Sequence, residues 1–257
     1  MNTVGLTLRQ FRFENKAFWR NPQAAFFTFV FPLMFLVIFD LLFGEEEIGY
    51  YAQDTGIMTY YVPAIVAFSV ITACFTNIAI SISLTRDRGV LKRMRGTPLP
   101  PAAYLISRIL HATFVAVLLV AVVVLAGALL YDVEVPTTTL PAFAVAIMVG
   151  AAAFCSLGLA LSAVVPNGEA APPITNAVIL PLLFISGIFI PLDNAPPWLT
   201  TVADFFPVKH YAEAMLTAFD PFVEGSGFAW TDLAVVAIWG IVGLLVAIRY
   251  FSWEPKV

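Results

Sequence analysis

The 257-residue chain is 60% hydrophobic and only 12% charged. An ordinary soluble domain carries about 25% charged and about 45–50% apolar residues, so this chain has too few charges to coat a water-facing surface, and lipid must be its solvent. The net charge of −4 is the sum of two opposed faces and gives no reason to expect a nucleic-acid partner.

The pattern predicts an all-α polytopic membrane protein, a single domain over 1–257, with six transmembrane helices and multiple passes. Residues 1–23 form a cytoplasmic amphipathic segment. On a helical wheel Arg9, Arg12, Lys16 and Arg20 fall in an arc of about 80°, and Leu8, Phe11, Phe18 and Trp19 in a neighbouring arc of about 100°. This reads as an interfacial helix with its basic side toward anionic membrane lipids; Phe13 lies off the apolar arc. The apolar run that follows lacks a small-residue cleavage site and is expected to be retained.

Crossing ~30 Å of hydrocarbon takes about 20 residues at 1.5 Å each. Six segments qualify: 24–43, with a kink expected at Pro32; 60–84; 104–130; 140–165; 172–190, broken near Pro181; and 233–250. Only 166–171 separate the fourth and fifth, which predicts a tight helical hairpin. If both termini are cytoplasmic, the inside segments hold 12 of the 13 basic residues, Lys209 being the exception, and 4 of the 17 acidic ones. Lys and Arg bias decides orientation, so the N- and C-termini are expected inside.

The loop 85–99 between the second and third spans reads as a short cytoplasmic helix. Thr85 is expected to cap it, Asp87 to sit in its first turn, and Val90, Leu91 and Met94 to form an apolar stripe among five cations. The residues alone leave two readings open, a docking helix and a plain topology signal. Outside, residues 191–232 are too long for a turn and too apolar for a free loop, and two short helical repeats are legible around Trp198–Phe206 and Tyr211–Phe219. Polar residues within the spans are few. Asn77, Asn176 and Ser186 are candidates for helix contacts or for a pathway. A proton- or ion-coupled carrier usually needs ionisable groups at membrane depth, and this chain shows no such cluster away from the helix ends.

Cys74 and Cys155 read as buried small hydrophobes, His111 and His210 have no second ligand at useful spacing, and no metal site or catalytic set is visible. No Gly-x-x-x-x-Gly-Lys-Ser/Thr loop is present, so no nucleotide site or other cofactor is expected in this chain.

The loop resembles the signature of the ABC-2 type permeases, R-[ED]-x-G-x-[LI]-x-R-[LM]-x-x-[ST]-P. Arg86, Asp87, Gly89, Leu91, Arg93, Met94, Thr97 and Pro98 match it, and Lys92 and Arg95 lie between them. Ser186 to Pro191, then Pro196 to Leu199, then Phe206-Pro207 are similar to that family's SG-x-F-x-P, P-x-W-L and P run. The flavour is that of the daunorubicin-resistance branch. The resemblance implies a permease dimer, formed with a second copy or a sister permease. Two ABC ATPase subunits would hold the ATP and Mg. Residues 86–98 would form a coupling helix, and short re-entrant helices with Pro191, Trp198, Phe206 and Pro207 an external gate. The implied activity is export of a lipophilic or amphiphilic compound across the plasma (inner) membrane of a prokaryote, with no enzyme activity in this chain. An ATP-independent carrier or channel, an integral membrane enzyme or assembly factor, and polysaccharide or lipid export by the same fold stand as the alternatives.

Single-cysteine variants in a background lacking Cys74 and Cys155 test the orientation. Lys92→Cys should resist an impermeant maleimide in intact cells and react once the membrane is opened, whereas Glu46→Cys and Glu224→Cys should react at once. Labelling of position 92 in intact cells would contradict the orientation.

Overall fold

The computed structural model describes residues 3–44, 47–48, 55–96, 99–192, 195–223 and 225–254. Thr97, Pro98, Glu46 and Glu224, all named above, lie outside the described residues, as does the side chain of Arg95. In chain order the helices are α1 (Thr3–Trp19), α2 (Pro22–Phe43), α3 (Met58–Ile71), α4 (Asn77–Asp87), α5 (Val90–Arg95), α6 (Pro101–Leu130), α7 (Leu140–Val164), α8 (Ala171–Phe184), α9 (Pro197–Phe205), α10 (Pro207–Phe219) and α11 (Trp230–Tyr250). A π-helical turn, Thr72–Thr76, joins α3 to α4 without a break. Between α2 and α3 the two-residue strands β1 (Glu47–Ile48) and β2 (Thr55–Gly56) pair antiparallel.

Proline punctuates this order. Six helices carry Pro in their first turn: α2, α6, α7, α8, α9 and α10. There the missing N–H removes nothing, because the first N–H groups of a helix have no intrahelical acceptor. Asn21 adds a side-chain cap on the Ala24 N–H at the start of α2, and α2 then runs unbroken through Pro32 to Phe43.

Five helical stretches are long and apolar enough to cross a membrane: Pro22–Phe43, Met58–Asp87, Pro101–Leu130, Leu140–Val164 and Trp230–Tyr250. The chain is a multi-pass membrane protein. The predicted 172–190 helix requires correction, because α8 has 14 residues and stops at Phe184. At 1.5 Å per residue it spans about 21 Å, short of the ~30 Å of hydrocarbon. Pro181 removes one ladder donor, the Ile185 N–H closes the helix on the Pro181 carbonyl, and Gly187 then adopts φ +86°, a left-handed conformation that side chains resist. Ser186, Gly187, Ile188 and Phe189 are buried, and partners come from the second span. The Tyr60 hydroxyl donates to the Gly187 carbonyl, and the Tyr61 hydroxyl lies 3.4 Å from the Phe189 carbonyl.

The second span is the axis of the bundle: 72% of its most apolar window is buried, against 17% for α2. Packing around it relies on small residues, because lipid tails solvate Leu as well as another helix does and association must come from close van der Waals approach. On α11, a Cβ at Gly240 would lie 2.8 Å from the Ala153 Cα, and one at Gly243 3.0 Å from the Leu157 nitrogen. The π-helical turn shifts the phase of the second span and brings the Phe75 carbonyl to within 2.7 Å of where a Cβ on Gly158 would sit. Cys74 and Cys155 are both buried at this contact level.

Helix α1 packs along α6, with Phe11 edge-on to Phe114 at 5.7 Å and Phe18 edge-on to His111 at 5.6 Å. Glu14 pairs with Arg108 across the same contact. The predicted apolar arc is therefore divided: Phe11 and Phe18 face protein, while Leu8 and Trp19 are exposed along with Arg9, Arg12, Lys16 and Arg20.

Helix α10 is set into the bundle, with Tyr211, Ala212, Met215 and Leu216 buried. The Tyr211 ring occupies the space beside Gly150, where an added Cβ would meet the tyrosine oxygen at 2.7 Å and the ring carbons closer still. Gly150→Ala should destabilise the protein by about 1–3 kcal/mol, the usual cost of overpacking, and Gly5→Ala, with open space around it, should not. Thermal unfolding of the two variants in detergent measures the difference.

Candidate functional site

At one end of the second span, α4 closes with the Arg88 N–H on the Leu84 carbonyl and the Gly89 N–H on the Arg86 carbonyl. Gly89 has φ +67°, which lets the chain turn sharply into α5. Two sequence expectations need correction here. Thr85 does not cap α5: it lies within α4 and its hydroxyl donates to the Ser81 carbonyl at 2.6 Å. Asp87 ends α4 instead of opening the next helix. The Thr85-to-Asp87 stretch stayed helical because the second span runs to Asp87, three residues past the predicted end.

The matched loop residues then divide by exposure. Leu91 is fully buried against the bundle, and Val90 and Met94 are half-buried, so the apolar stripe fastens α5 to its own protein. Asp87, Arg88, Lys92 and Arg93 are exposed. The Arg93 guanidinium donates to the Arg88 carbonyl at 3.2 Å, leaving Arg88 and Lys92 as the freer cations among the described side chains of this loop. Arg86 behaves differently from all of these. It is fully buried, and its two terminal nitrogens donate to the Ser162 carbonyl at 2.6 Å and the Val165 carbonyl at 2.5 Å. Sequence reading grouped it with the exposed cations. A usable signal was its position, inside the apolar phase of the second span.

Between α2, the second span and α8 lies a cavity of about 670 Å³, open on one side. Its walls are aromatic and aliphatic, including Phe31, Phe35, Phe39, Phe68, Leu183, Phe184 and Phe189, and its polar points are Thr72, Thr76 and Asn176. Thr72 and Thr76 bound the π-helical turn. Asn77 lines an adjoining recess with Thr28, Phe31 and Thr72. Ser186 does not reach this cavity. Its hydroxyl donates to the Leu183 carbonyl at 2.8 Å, and it lines a smaller pocket with Tyr60, Lys209 and Glu213.

At the opposite end of the bundle the predicted gate residues separate. Pro207 is buried at the start of α10, and Phe206 stacks on Trp239 at 6.1 Å. The Trp239 indole N–H donates to the Phe205 carbonyl at 3.0 Å. Pro191 is half-buried after the turn, and Trp198 is 67% exposed on α9.

The sequence also gave no hint of an ionic cluster beside α9. Lys209 pairs with Asp204, and Glu213 lies 3.4 Å away. His210 Nδ1 lies 2.6 Å from the Asp232 carboxylate and Nε2 lies 2.9 Å from the Asp204 carbonyl. A carbonyl only accepts, so Nε2 carries a proton, and the carboxylate favours a second on Nδ1. One ligand atom each from His210, Glu213 and Asp232 lie within 4.8 Å of one another, a spacing that suits a metal ion. Both ring nitrogens are engaged in hydrogen bonds here, and Lys209, Asp204, Glu213, His210 and Asp232 form an ion-pair network.

The architecture is thus that of a multi-pass helical bundle with an exposed basic helix at one end and an apolar cavity among its spans. A family profile described as ABC-2 type transporter matches residues 6–219. The chain belongs to the ABC-2 type transporter family and is a transport permease subunit rather than an enzyme. The daunorubicin resistance ABC transporter permease protein DrrB1 of Streptomyces coeruleorubidus is 26% identical over 98% of this chain and 87% of its own length. YvfS of Bacillus subtilis, named as a transport permease, is 22% identical over 91% and 92%. The ycf38 protein of Porphyra purpurea, also named as a transport permease, is 24% identical over 88% and 76%.

The His210 geometry generates a pH dependence. Burial pulls its pKa down, but the hydrogen bonds to Asp232 and to the Asp204 carbonyl and the nearby Asp232 and Glu213 charges outweigh that and raise it above 6.5. A raised pKa stabilises the fold below about pH 6.5, and this contribution is lost as pH rises through the higher folded value. Thermal stability in detergent should therefore fall as the pH rises above 6.5, by up to about 1 kcal/mol given the partial exposure of the pair. His210→Gln should remove that component; an unchanged profile in this variant would contradict the assignment.

Proposed function

We propose that this chain is the permease half of an ATP-driven exporter that moves a lipophilic or amphiphilic compound outward across the plasma membrane of a prokaryote. The observation that carries the reading is the cavity between α2, the second span and α8. It is apolar, about 670 Å³, within the ~300–1,000 Å³ usual for small-molecule sites, and has only threonine and asparagine as polar points. Such a site offers burial to a greasy body and a few hydrogen bonds to its polar end, and no charge with which to select an ion. The daunorubicin-resistance name of one relative supports the same substrate class.

The cavity opens on the side where α2 and α8 are themselves exposed. A second permease copy or a sister chain closes it there. α8 crosses the membrane together with the turn whose residues 186–189 are buried, as the fifth of six spans, with both termini cytoplasmic, and α9 and α10 form the external gate. Power comes from two copies of a separate ABC ATPase subunit that bind ATP and Mg and dock on α5. The buried Leu91 fastens α5 from within, so the exposed Lys92 on its outward face and the exposed Arg88 just before the Gly89 turn are placed to meet carboxylates of the ATPase.

Arg88→Glu with Lys92→Glu tests the docking. Placing like charges across an interface costs several kcal/mol. A cost of about 3 kcal/mol weakens binding roughly a hundredfold, so the variant should insert normally, lose its ATPase in a pull-down and lose ethidium export. Retained binding and wild-type export would reduce α5 to a topology signal.

A further inference from the structure

We propose that Arg86 is a positioning residue that ties the coupling segment to α7 and α8, so that a displacement of α5 is delivered to the cavity wall. The proposal rests on the reading of α5 as the ATPase-facing element and adds how its motion reaches the pathway.

The last carbonyls of a helix have no intrahelical donor unless a capping group supplies one. In α7, which ends at Val164 with the Val165 N–H on the Leu161 carbonyl, Ser162 and Val165 are among these orphans. The donor that should serve the Ser162 carbonyl is residue 166, a proline, which has no N–H. Arg86 supplies the missing donor at 2.6 Å and a second to the Val165 carbonyl at 2.5 Å. Its side chain is fully buried, so its charge faces the negative end of the α7 dipole instead of water. The guanidinium is a rigid planar fork that holds two acceptors at once, which a lysine ammonium on a flexible stem does not reproduce.

A second contact stiffens the same joint. Gly168, in the turn between α7 and α8, lies so close to α4 that a Cβ there would sit 2.9 Å from Leu84 Cδ2 and 3.2 Å from Asp87 Oδ2. The Asn167 side chain accepts from the Ala170 N–H at 2.8 Å, and α8 begins at the next residue. The end of α4, the end of α7 and the start of α8 therefore move together. Arg86 stands three residues before Gly89, the turn into α5. At the other end of this body, α8 presents Asn176, Ile179, Leu180 and Leu183 to the cavity.

The test uses the permease with its co-purified ATPase in nanodiscs, in a background lacking Cys74 and Cys155. A Leu180→Cys reporter on the cavity wall is labelled with N-ethylmaleimide, with and without trapping by ATP and vanadate. With Arg86 intact, nucleotide should change the labelling rate. Arg86→Ala should still bind the ATPase and hydrolyse ATP, while the nucleotide-dependent change shrinks about tenfold, the order of a typical coupling between two sites. Arg86→Lys should restore part of it, which a role confined to folding would not require. If Arg86→Ala fails to insert, Arg86→Lys and Gly168→Ala carry the test, each with a reduced nucleotide response. An undiminished response in the variants that insert overturns the proposal. A complex with Arg86 intact that binds ATPase yet shows no nucleotide response would remove the exporter reading, and this assignment with it.

Discussion

Tyr60 and Arg86 hold opposite ends of one constraint: inside lipid, a backbone carbonyl that leaves a helix must find its donor in the protein. Tyr60 meets the Gly187 carbonyl where α8 has stopped short. Arg86 meets the Ser162 and Val165 carbonyls where α7 ends just before Pro166. Both donors sit on the second span, and this explains why that span is the most buried in the bundle. A helix that serves its neighbours' broken ends cannot lie at the rim.

The breaks themselves are where the bundle acquires shape. Straight helices of full length would pack into a solid core. Here α8 ends after 14 residues, the π-helical turn rephases the second span at Thr72–Thr76, and the space between them becomes the cavity. Tight packing lies elsewhere, at Gly240 and Gly243 against α7 and at Gly150 beneath Tyr211. Rigid contact on one side and an aromatic void on the other fit a bundle that moves as a few bodies.

Much of this was legible in the sequence, because a hydrophobic run of about 20 residues has few meanings. Five of the predicted spans coincide with long apolar helices to within about three residues at each end, and the two short helical repeats between 191 and 232 fold as α9 and α10. The fifth span was misread, since Ser186 to Ile190 is apolar enough to look helical. Only the structure shows that Gly187 turns there and that Tyr60 and Tyr61, 127 and 128 residues from the carbonyls they meet, satisfy the turn. The basic loop was found, but charge alone does not reveal exposure. Arg86 and Arg88 stand two residues apart, and one is buried while the other is bathed in solvent. His210 was dismissed because its partner Asp232 is 22 residues distant, a pairing that only the folded α10 and α11 create.

On the proposed function, this chain supplies a path and another protein supplies the energy. Inverted membrane vesicles carrying the chain, with and without the ATPase that co-purifies with it, decide this through ethidium accumulation. The account predicts accumulation only when both proteins and ATP are present, and no effect of discharging the proton gradient. Accumulation by this chain alone, collapsing with the gradient, would contradict it.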